Sequence, residues 1–310
     1  MPIELVCPIE RSALRRLPSA YVCPHCGRSY GIVDGVVRFI NTNDDFYEGA
    51  YLNKTHFIPE NENFINIWPL WLINGGYIWD IRSNLPAGSI IAELGCAGGV
   101  KYLGRRYKMV GCDLSLSSLR QVEGYDYRIQ ANPLKGLPLA DSSVDAVVSS
   151  YFWEHISPVL KPVILKEMHR ILRPNGKIIF LYDVETNNPL IKYFKKINLP
   201  LYNELFLEGD GHFGYQTPAE NLELFRTSGF RILKHRGLEK TIFQSPSVYV
   251  KLANFAAVSR PIFFAAGKLR TRKLFYPYTL FLRLIDTLVS PFLPAEWARM
   301  DMTIGEKAQS

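Results

Sequence analysis

The stretch IIAELGCAGG, Ile90 to Gly99, decides the fold. Its first residues are almost all apolar, which is typical of a short parallel strand buried on both faces. Glu93 lies near the end of that strand, and a turn containing Gly95 and Gly98 follows it. A helix is expected to begin near Gly99. A strand, a glycine turn and a helix in this order bring free backbone N–H groups and a helix N-terminus to a negatively charged ligand group.

Strands and helices alternate on both sides of this stretch. The apolar runs predict strands at 89–94, 108–112, 126–130, 144–150, 176–183 and 229–236, with a last strand at 301–308. Helices are expected from Ser157, as an N-cap before Pro158, and from Thr217, which opens a capping box with Glu220. This alternation predicts an α/β fold, a doubly wound sheet covered by helices on both faces.

The bulk composition indicates a folded protein of a reducing compartment. Of the 310 residues, 47% are apolar and 21% are charged, as in ordinary soluble domains. We expect a cytoplasmic location, because the N-terminus has no apolar leader and no apolar stretch approaches the roughly 18 residues that span a bilayer. Five cysteines in a chain of this length do not suggest a disulfide framework.

Residues 1–40 are expected to form a separate small module. Cys23 and Cys26 are spaced so that both thiolates can bind one zinc ion, and Cys7 is a third candidate ligand. Glu10 stands where a second N-terminal cysteine would complete the set, so either His25 or Glu10 is a candidate fourth ligand. The alternative is a ribbon that binds no metal and is held by its β-hairpin.

Two further segments differ from the alternating core. Residues 41–88 are rich in aromatic side chains and predict one or two helices interrupted at Pro69 and at Gly75-Gly76. Most of these aromatics are expected in the core, and a few in a substrate pocket. Residues 239–297 hold no acidic residue from Lys240 to Ile285, although basic and aromatic residues alternate there, and this segment alone can account for the net charge of +7.

The motifs after the turn carry a resemblance to a known family. The spacing of Glu93, Gly95 and Gly98 does not fit the dinucleotide fingerprint, and it resembles motif I of class I S-adenosylmethionine-dependent methyltransferases of the type 11 kind. Asp113 follows at the end of the next predicted strand. The segments 131–156, 167–180 and 212–230 are similar to the later motifs of that family, in the same order.

The resemblance implies a Rossmann-like sheet of seven strands whose last strand, within 298–310, is antiparallel and lies beside the sixth. Residues 89–238 would then form the methyltransferase core, and 187–216 and 239–297 would be insertions, the latter helical, near the carboxyl edge where substrate binds. The implied cofactor is S-adenosylmethionine. Its implied binding residues are Glu93, Gly95, Cys96, Ala97, Gly98, Gly99, Asp113, Leu114, Asn132 and Tyr151.

Two of these residues have distinct implied roles. Asp113 would accept hydrogen bonds from both ribose hydroxyls. Asn132 stands where the family has an acid that accepts from the adenine amino group. An acceptor hydroxyl would also need a general base, for which His212 is the first candidate and His155 the second. For both histidines the alternative is a structural role at the rim of the site.

Three functions remain open from the sequence. The first is O- or N-methylation of a small-molecule, glycan or lipid-linked acceptor, with residues 239–297 in contact with the cytoplasmic face of a membrane. The second is base methylation of rRNA or tRNA, since a zinc ribbon before a methyltransferase domain resembles some rRNA methyltransferases. The third is a non-catalytic scaffold, and the ribbon also resembles small zinc-ribbon activators of methyltransferases, which would make it a docking surface.

Overall fold

The structure, a computed structural model, describes residues 3–40, 47–48, 70–72, 74–257, 259–270 and 272–308. Its strands form a single mixed sheet. In chain order they are β1 Arg15–Arg16, β2 Ala20–Val22, β3 Ser29–Val33, β4 Val36–Arg38, β5 Ile90–Leu94, β6 Lys108–Asp113, β7 Tyr127–Gln130, β8 Val144–Ser150, β9 Leu172–Asp183, β10 Phe230–Leu238 and β11 Met300–Lys307.

The strand order is β1-β2-β3-β4-β7-β6-β5-β8-β9-β11-β10. Strands β5 to β9 run parallel, and β11 lies antiparallel between β9 and β10. The predicted Rossmann-like, doubly wound core with an antiparallel last strand is therefore confirmed. Strand β9 begins at Leu172 instead of 176, because Leu172 pairs with Val144 ahead of a register shift.

The N-terminal segment is not set apart from the core, contrary to the prediction of a separate module for residues 1–40. Strand β4 pairs in parallel with β7, with Val37 opposite Ile129, and extends the sheet to eleven strands. Val36 and Val37 are both buried, so the pairing hides apolar surface that a free ribbon would expose. The expected hairpin is present, and Asp34 and Gly35 form its turn with positive φ angles.

Helices cover both faces of the sheet. The α-helices are Tyr77–Asn84, Lys101–Arg106, Leu116–Arg120, Lys161–Ile171, Pro189–Ile197, Leu199–Tyr202, Pro218–Thr227, Pro246–Leu252, Arg260–Gly267 and Arg272–Leu288. A π-helix covers Asn203–Glu208. Single 3-10 turns cover Asn74–Gly76, Pro133–Lys135, Trp153–His155, Lys268–Arg270, Ser290–Phe292 and Ala295–Trp297.

One predicted helix start is wrong. The helix expected from Ser157 begins at Lys161, and Val159 is 80% exposed instead of facing the core. The reason is Pro162, which lacks an N–H and is tolerated only in a first turn, so a helix that began at Pro158 would contain a proline in its interior. The capping box at Thr217 and Glu220 is present as predicted.

The described parts of residues 187–216 and 239–297, the two segments expected as insertions, pack against each other, and we name them together the helical cap. Its own buried cluster joins the two segments and comprises Ile191, Phe194, Tyr202, Phe206, Val248, Tyr249 and Leu252. Within it, the rings of Tyr202 and Phe206 stack at 4.8 Å. The helical cap is therefore a second small core beside the sheet.

Residues 41–88 are described only in part, and 41–46, 49–69 and 73 lie outside the description, as do the predicted break at Pro69 and most of the aromatics counted there. The second predicted break is present, since Gly75 and Gly76 have positive φ angles before the helix Tyr77–Asn84. Tyr77 is buried, as expected of most aromatics here, whereas Trp79 is 45% exposed. Within the described ranges, we find no helix with the length and apolar character needed to cross a bilayer.

Candidate functional site

The glycine turn after β5 is held mainly through its backbone. Gly95 and Gly99 have φ angles of 65° and 70°, and Ala97 has a φ of 44°, which an alanine rarely adopts. The Gly95 N–H donates to Cys112 O at 2.9 Å, and the Ala97 N–H donates to Asp113 Oδ2 at 2.8 Å. This hydrogen bond to the Asp113 carboxylate helps to hold the unfavourable backbone conformation at Ala97.

Asp113 is fixed from two sides at the end of β6. Its second oxygen, Oδ1, accepts from the Ser115 N–H at 2.9 Å. Burial raises the pKa of Asp113, and hydrogen bonds from backbone N–H groups oppose that effect. Each carboxylate oxygen has more than one lone pair, so these contacts leave capacity for the predicted ribose hydroxyls. Leu114, the next residue, receives a hydrogen bond on its carbonyl from Gln130 Nε2 at 2.9 Å.

Glu93 stabilises the segment around the turn through a hydrogen bond from Tyr125. The side chain is 2% exposed, and the Tyr125 hydroxyl donates to its Oε2. The same hydroxyl accepts from the Val100 N–H at 2.9 Å, just before the helix that follows the turn. Burial raises the pKa of Glu93 to about 7, although the Tyr125 hydrogen bond lowers it. Tyr125 was not among the predicted site residues, because nothing in its sequence neighbourhood marks it.

The other predicted cofactor residues reach the same edge of the sheet. Asn132 follows β7, and its Oδ1 accepts from the Leu134 N–H at 3.0 Å, which caps the turn Pro133–Lys135. Tyr151 follows β8 with a φ of 55°, and its hydroxyl donates to Met300 Sδ at 3.7 Å. Cys96 packs into a buried cluster below the turn. In parallel sheets this carboxyl edge is where ligands bind.

The two candidate bases, His155 and His212, lie together. Their rings are 5.0 Å apart, edge to face, and Glu154 completes a group whose ligand atoms all lie within 4.8 Å of one another. His155 Nδ1 is 3.0 Å from Gly211 O. The ring of Tyr47 lies 6.2 Å from that of His155. We name Glu154, His155 and His212 the His–Glu cluster.

The electrostatics of the His–Glu cluster are set by burial. The Glu154 side chain is 1% exposed, and burial together with the nearby Asp183 raises its pKa well above the usual range. Burial and the neighbouring His155 lower the pKa of His212 to about 3. His212 is therefore uncharged at neutral pH, and a pKa this far below 7 makes it a weak proton acceptor.

Lys161 fixes the loop that carries His212. Its Nζ is fully buried and donates to Gly214 O at 2.7 Å, Gln216 Oε1 at 2.8 Å and Asn221 Oδ1 at 3.3 Å. Burial lowers the pKa of Lys161 to about 7. Nothing in the sequence indicates this role, since Lys161 has the pattern of an ordinary surface residue of a helix.

A buried ion network ties the helical cap to the sheet. Arg299 donates through Nη1 to Asp183 at 3.0 Å and through Nε to Glu239 at 2.7 Å. The Tyr215 hydroxyl also donates to Asp183, at 3.4 Å. Because Asp183 ends β9 and Arg299 immediately precedes β11, the network closes the carboxyl edge on the side of the cap. None of these residues was predicted.

The N-terminal cysteines come together as predicted. The sulfurs of Cys7, Cys23 and Cys26 lie within 4.8 Å of one another, and those of Cys7 and Cys26 are 3.8 Å apart. Burial raises the pKa of Cys23, but hydrogen bonds from the Cys26 N–H and the Ser12 hydroxyl outweigh it and lower the pKa to about 6. His25 and Glu10 are exposed and do not belong to this group of ligand atoms.

Comparison with known proteins agrees with this arrangement. Residues 92–180 match a protein family described as a methyltransferase domain. Over 125 residues the chain is 33% identical to the tRNA (carboxymethyluridine(34)-5-O)-methyltransferase ALKBH8 of Macaca fascicularis, covering 38% of this chain and 19% of that protein. Over 151 residues it is 28% identical to the ubiquinone/menaquinone biosynthesis C-methyltransferase UbiE of Syntrophotalea carbinolica, covering 43% of this chain and 62% of that protein. The chain thus spans less than two thirds of either relative.

Among solved structures, the YcgJ protein from Bacillus subtilis covers 76% of this chain and 98% of its own, with 15% identity and a TM-score of 0.48. The predicted Rossmann-like fold rests on the strand order itself. The prediction of an S-adenosylmethionine-dependent methyltransferase is confirmed at the level of the matched domain. Residues 92–180 match a methyltransferase domain, and they lie within strands β5 to β9 of a Rossmann-like sheet.

Proposed function

We propose that this protein transfers the methyl group of S-adenosylmethionine to an oxygen or nitrogen of a small-molecule or lipid-linked acceptor. The observation that carries the proposal is the turn after β5, with Asp113 fixed beside it by the N–H groups of Ala97 and Ser115. S-Adenosylmethionine supplies a reactive sulfonium methyl group. The work left to the chain is to hold donor and acceptor in line, which can be worth roughly 7–11 kcal/mol.

Calorimetry with S-adenosylmethionine tests the cofactor site. We expect wild type to bind and Asp113→Ala to bind at least about tenfold more weakly, because a carboxylate that accepts hydroxyl hydrogen bonds is worth about 1.5–3 kcal/mol. Glu123→Ala is the matched control, since Glu123 is 69% exposed and pairs with Lys101 on the surface. Equal binding by wild type and Asp113→Ala would overturn the ribose assignment.

The acceptor class is supported by the outer surface of the helical cap. Large apolar side chains are exposed there in unusual number: Ile242, Phe243, Val250, Ile262, Phe264, Leu274, Phe281, Leu284, Leu288, Val289 and Phe292. Phe292 is 87% exposed. Arg260 and Lys268 are exposed among them. Apolar side chains with basic neighbours suit an anionic membrane surface on the cytoplasmic side.

Not every basic residue of the cap is available to a membrane. Lys240 and Arg283 are buried and donate to the carbonyls of Leu293 and Trp71, at 3.0 Å and 2.8 Å. Lys251 pairs with Asp210. The excess of positive charge noted in the sequence is thus partly internal, and we infer membrane contact mainly from the apolar residues.

Flotation with vesicles tests this surface. We expect the chain to bind vesicles that contain anionic lipid and the triple variant Ile262→Ser, Phe264→Ser, Phe292→Ser to lose that binding. Val159→Ser is the control, because Val159 is 80% exposed outside the helical cap. Binding that survives the triple substitution would exclude this surface as the contact.

Methylation of tRNA is a second candidate, favoured by the 33% identity to a tRNA methyltransferase over 125 residues. Labelled S-adenosylmethionine added to fractionated cell extract distinguishes the two. Label in the lipid or small-molecule fraction supports the first candidate, and label in RNA supports the second. Cofactor binding without any transfer would indicate the non-catalytic scaffold.

We also propose that Cys7, Cys23 and Cys26 bind a structural zinc ion. Support comes from the 3.8 Å separation of the Cys7 and Cys26 sulfurs and from the pKa of Cys23, which favours the thiolate. By elemental analysis, we expect Cys23→Ser to contain one zinc ion per chain fewer than wild type. Cys112→Ala is the control, because Cys112 lies in the main core. Equal zinc content in all three proteins would contradict the proposal.

A further inference from the structure

The His–Glu cluster contains the buried carboxylate of Glu154, whose negative charge is favoured only by the backbone N–H groups of Glu154 and Asp183 and by the charge of Lys161 among the described residues. Both oxygens of Glu154 are buried and lack a hydrogen-bond partner of normal geometry among the described residues. An unpaired carboxylate in such a place costs several kcal/mol unless a cation or a proton joins it. The nearest charged partner along the chain, Lys161, is instead directed to Gly214, Gln216 and Asn221.

In both histidines the Nδ1 atom has a hydrogen-bond partner outside the cluster. His155 Nδ1 lies 3.0 Å from the carbonyl oxygen of Gly211, which can only accept, so this nitrogen carries the proton. The Tyr215 hydroxyl donates to Asp183 and therefore accepts from His212 Nδ1, 3.0 Å away. In both rings the lone pair of the neutral imidazole is then on Nε2.

This arrangement is the one found around metal ions. A histidine that binds a metal through one nitrogen almost always donates through the other to a carbonyl, a carboxylate or another polar partner. Here the Gly211 carbonyl and the Tyr215–Asp183 pair fill those outer positions. Two imidazoles and one carboxylate form a set of three protein ligands, typical of sites that keep open positions for water or substrate.

We propose that Glu154, His155 and His212 bind a divalent cation of the first transition row, such as Mn²⁺ or Zn²⁺. The three ligand atoms lie within 4.8 Å of one another, close enough to be drawn onto one ion. The cluster follows β8, the strand beside β5, so the ion would lie at the same sheet edge as the glycine turn. Its open positions would hold an oxygen of the acceptor, a role that rests on the proposed methyl transfer, whereas the binding of the ion does not.

A pair of adjacent residues that contacts both the His–Glu cluster and the segment after β6 supports that placement. Tyr47 lies against His155, and the adjacent Glu48 accepts from the N–H groups of Leu116 and Ser117, at the start of the helix after Asp113. One dipeptide therefore touches both the His–Glu cluster and the segment that carries Asp113. The acceptor oxygen held by the ion would lie on the side of the sheet edge where the cofactor turn lies.

Titration of the full chain with Mn²⁺, followed by the electron paramagnetic resonance signal of the free ion, tests the proposal. Mn²⁺ suits oxygen and nitrogen ligands and avoids the soft thiolates of the N-terminal cysteines. We expect one saturable site in wild type and at least about tenfold weaker binding in Glu154→Gln and in His212→Asn. His169→Asn is the matched control, since His169 packs against Phe230 away from the cluster.

Tyr215→Phe separates ligation from mere packing. It keeps the ring and removes the hydroxyl that orients His212, so Mn²⁺ affinity should fall by about tenfold while circular dichroism stays unchanged. Wild type without saturable Mn²⁺ binding, or variants that bind as wild type does, would overturn the inference. Calorimetry with S-adenosylmethionine on the same samples confirms that each variant is folded. Calorimetry also separates the metal-site proposal from the proposed function. Wild type that binds Mn²⁺ but not S-adenosylmethionine would refute the proposed function alone.

Discussion

The turn after β5 and the segment after β8 lie at the same sheet edge but are held by different kinds of contact. Around Gly95 the hydrogen bonds are donated by backbone N–H groups. The Gly95 N–H donates to Cys112 O at 2.9 Å, and the Ala97 N–H donates to Asp113 Oδ2 at 2.8 Å. Around Glu154 the contacts involve side chains that cross more than fifty residues of sequence, as in the hydrogen bond from Lys161 to Gly214. The first region should therefore be sensitive to backbone conformation, and the second to the chemistry of particular side chains.

Gly95→Ala should destabilise the turn after β5 and lower the free energy of unfolding more than the next substitution does. An added Cβ would lie 2.7–2.9 Å from atoms of Phe152, at a φ of 65° that alanine rarely adopts. We expect the free energy of unfolding to fall by about 3 kcal/mol, measured by urea denaturation. Gly98→Ala is the matched control, because a Cβ there meets nothing within 4 Å and its φ is not in the left-handed region. Equal losses in both variants would show that the turn tolerates no side chain for another reason.

Lys161→Met should destabilise the segment around Glu154 and His212, with a smaller loss of unfolding free energy than Gly95→Ala. The substitution leaves the acceptors on Gly214 and Gln216 buried without their donor, which we expect to cost about 2 kcal/mol of unfolding free energy. Proteolysis of the loop around His212 should also become faster. Lys166→Met serves as the control, since Lys166 is exposed on the same helix. If Lys161→Met is as stable as the control, the loop is held by other contacts.

Glu93→Gln sharpens the comparison through the pH dependence of stability, not through a loss at a single pH. The pKa of Glu93 is about 7 in the folded protein, against 4.5 in the unfolded chain. Between these values the folded protein retains a proton that the unfolded chain has lost. Stability should therefore fall as pH rises from about 4.5 to 7, by at most about 1.4 kcal/mol per pH unit from this group.

The measurement is urea unfolding at several pH values across that range. Glu93→Gln cannot lose a proton, so its stability should fall less than that of wild type. The exposed Glu4 provides the control variant Glu4→Gln, which should behave as wild type does. A wild-type profile that is flat or rises over this range would contradict the raised pKa.

The strands were predictable because each is a buried run of apolar residues, such as Ile90 to Leu94, whose pattern does not depend on the rest of the chain. The helix start at Lys161 was not, because Ser157 and Pro158 offer an equally good local signal and only the position of Pro162 excludes it. The pairing of β4 with β7 joins residues about ninety apart, and no local pattern specifies such a contact.

The residues of the candidate site likewise differ in whether a local sequence pattern indicates them. Asp113 and Gly95 stand at fixed spacings within one motif, so the sequence indicated them. Tyr125 and Lys161 act on the turn and on the His212 loop from distant positions, and their residue types are ordinary for their segments. Glu154 does not stand out in the sequence beside His155, because only its burial distinguishes it from a surface carboxylate.

The position of β11 between β9 and β10 has a consequence for synthesis. Among the described strands, β10 pairs with β11 alone, so its backbone lacks this partner until the chain has been translated as far as Met300–Lys307. Until then β9 also presents an open edge, which can pair with another chain. Domains begin to fold during synthesis. The insertion of β11 would therefore be the step after which the edge of β9 can no longer pair with another chain.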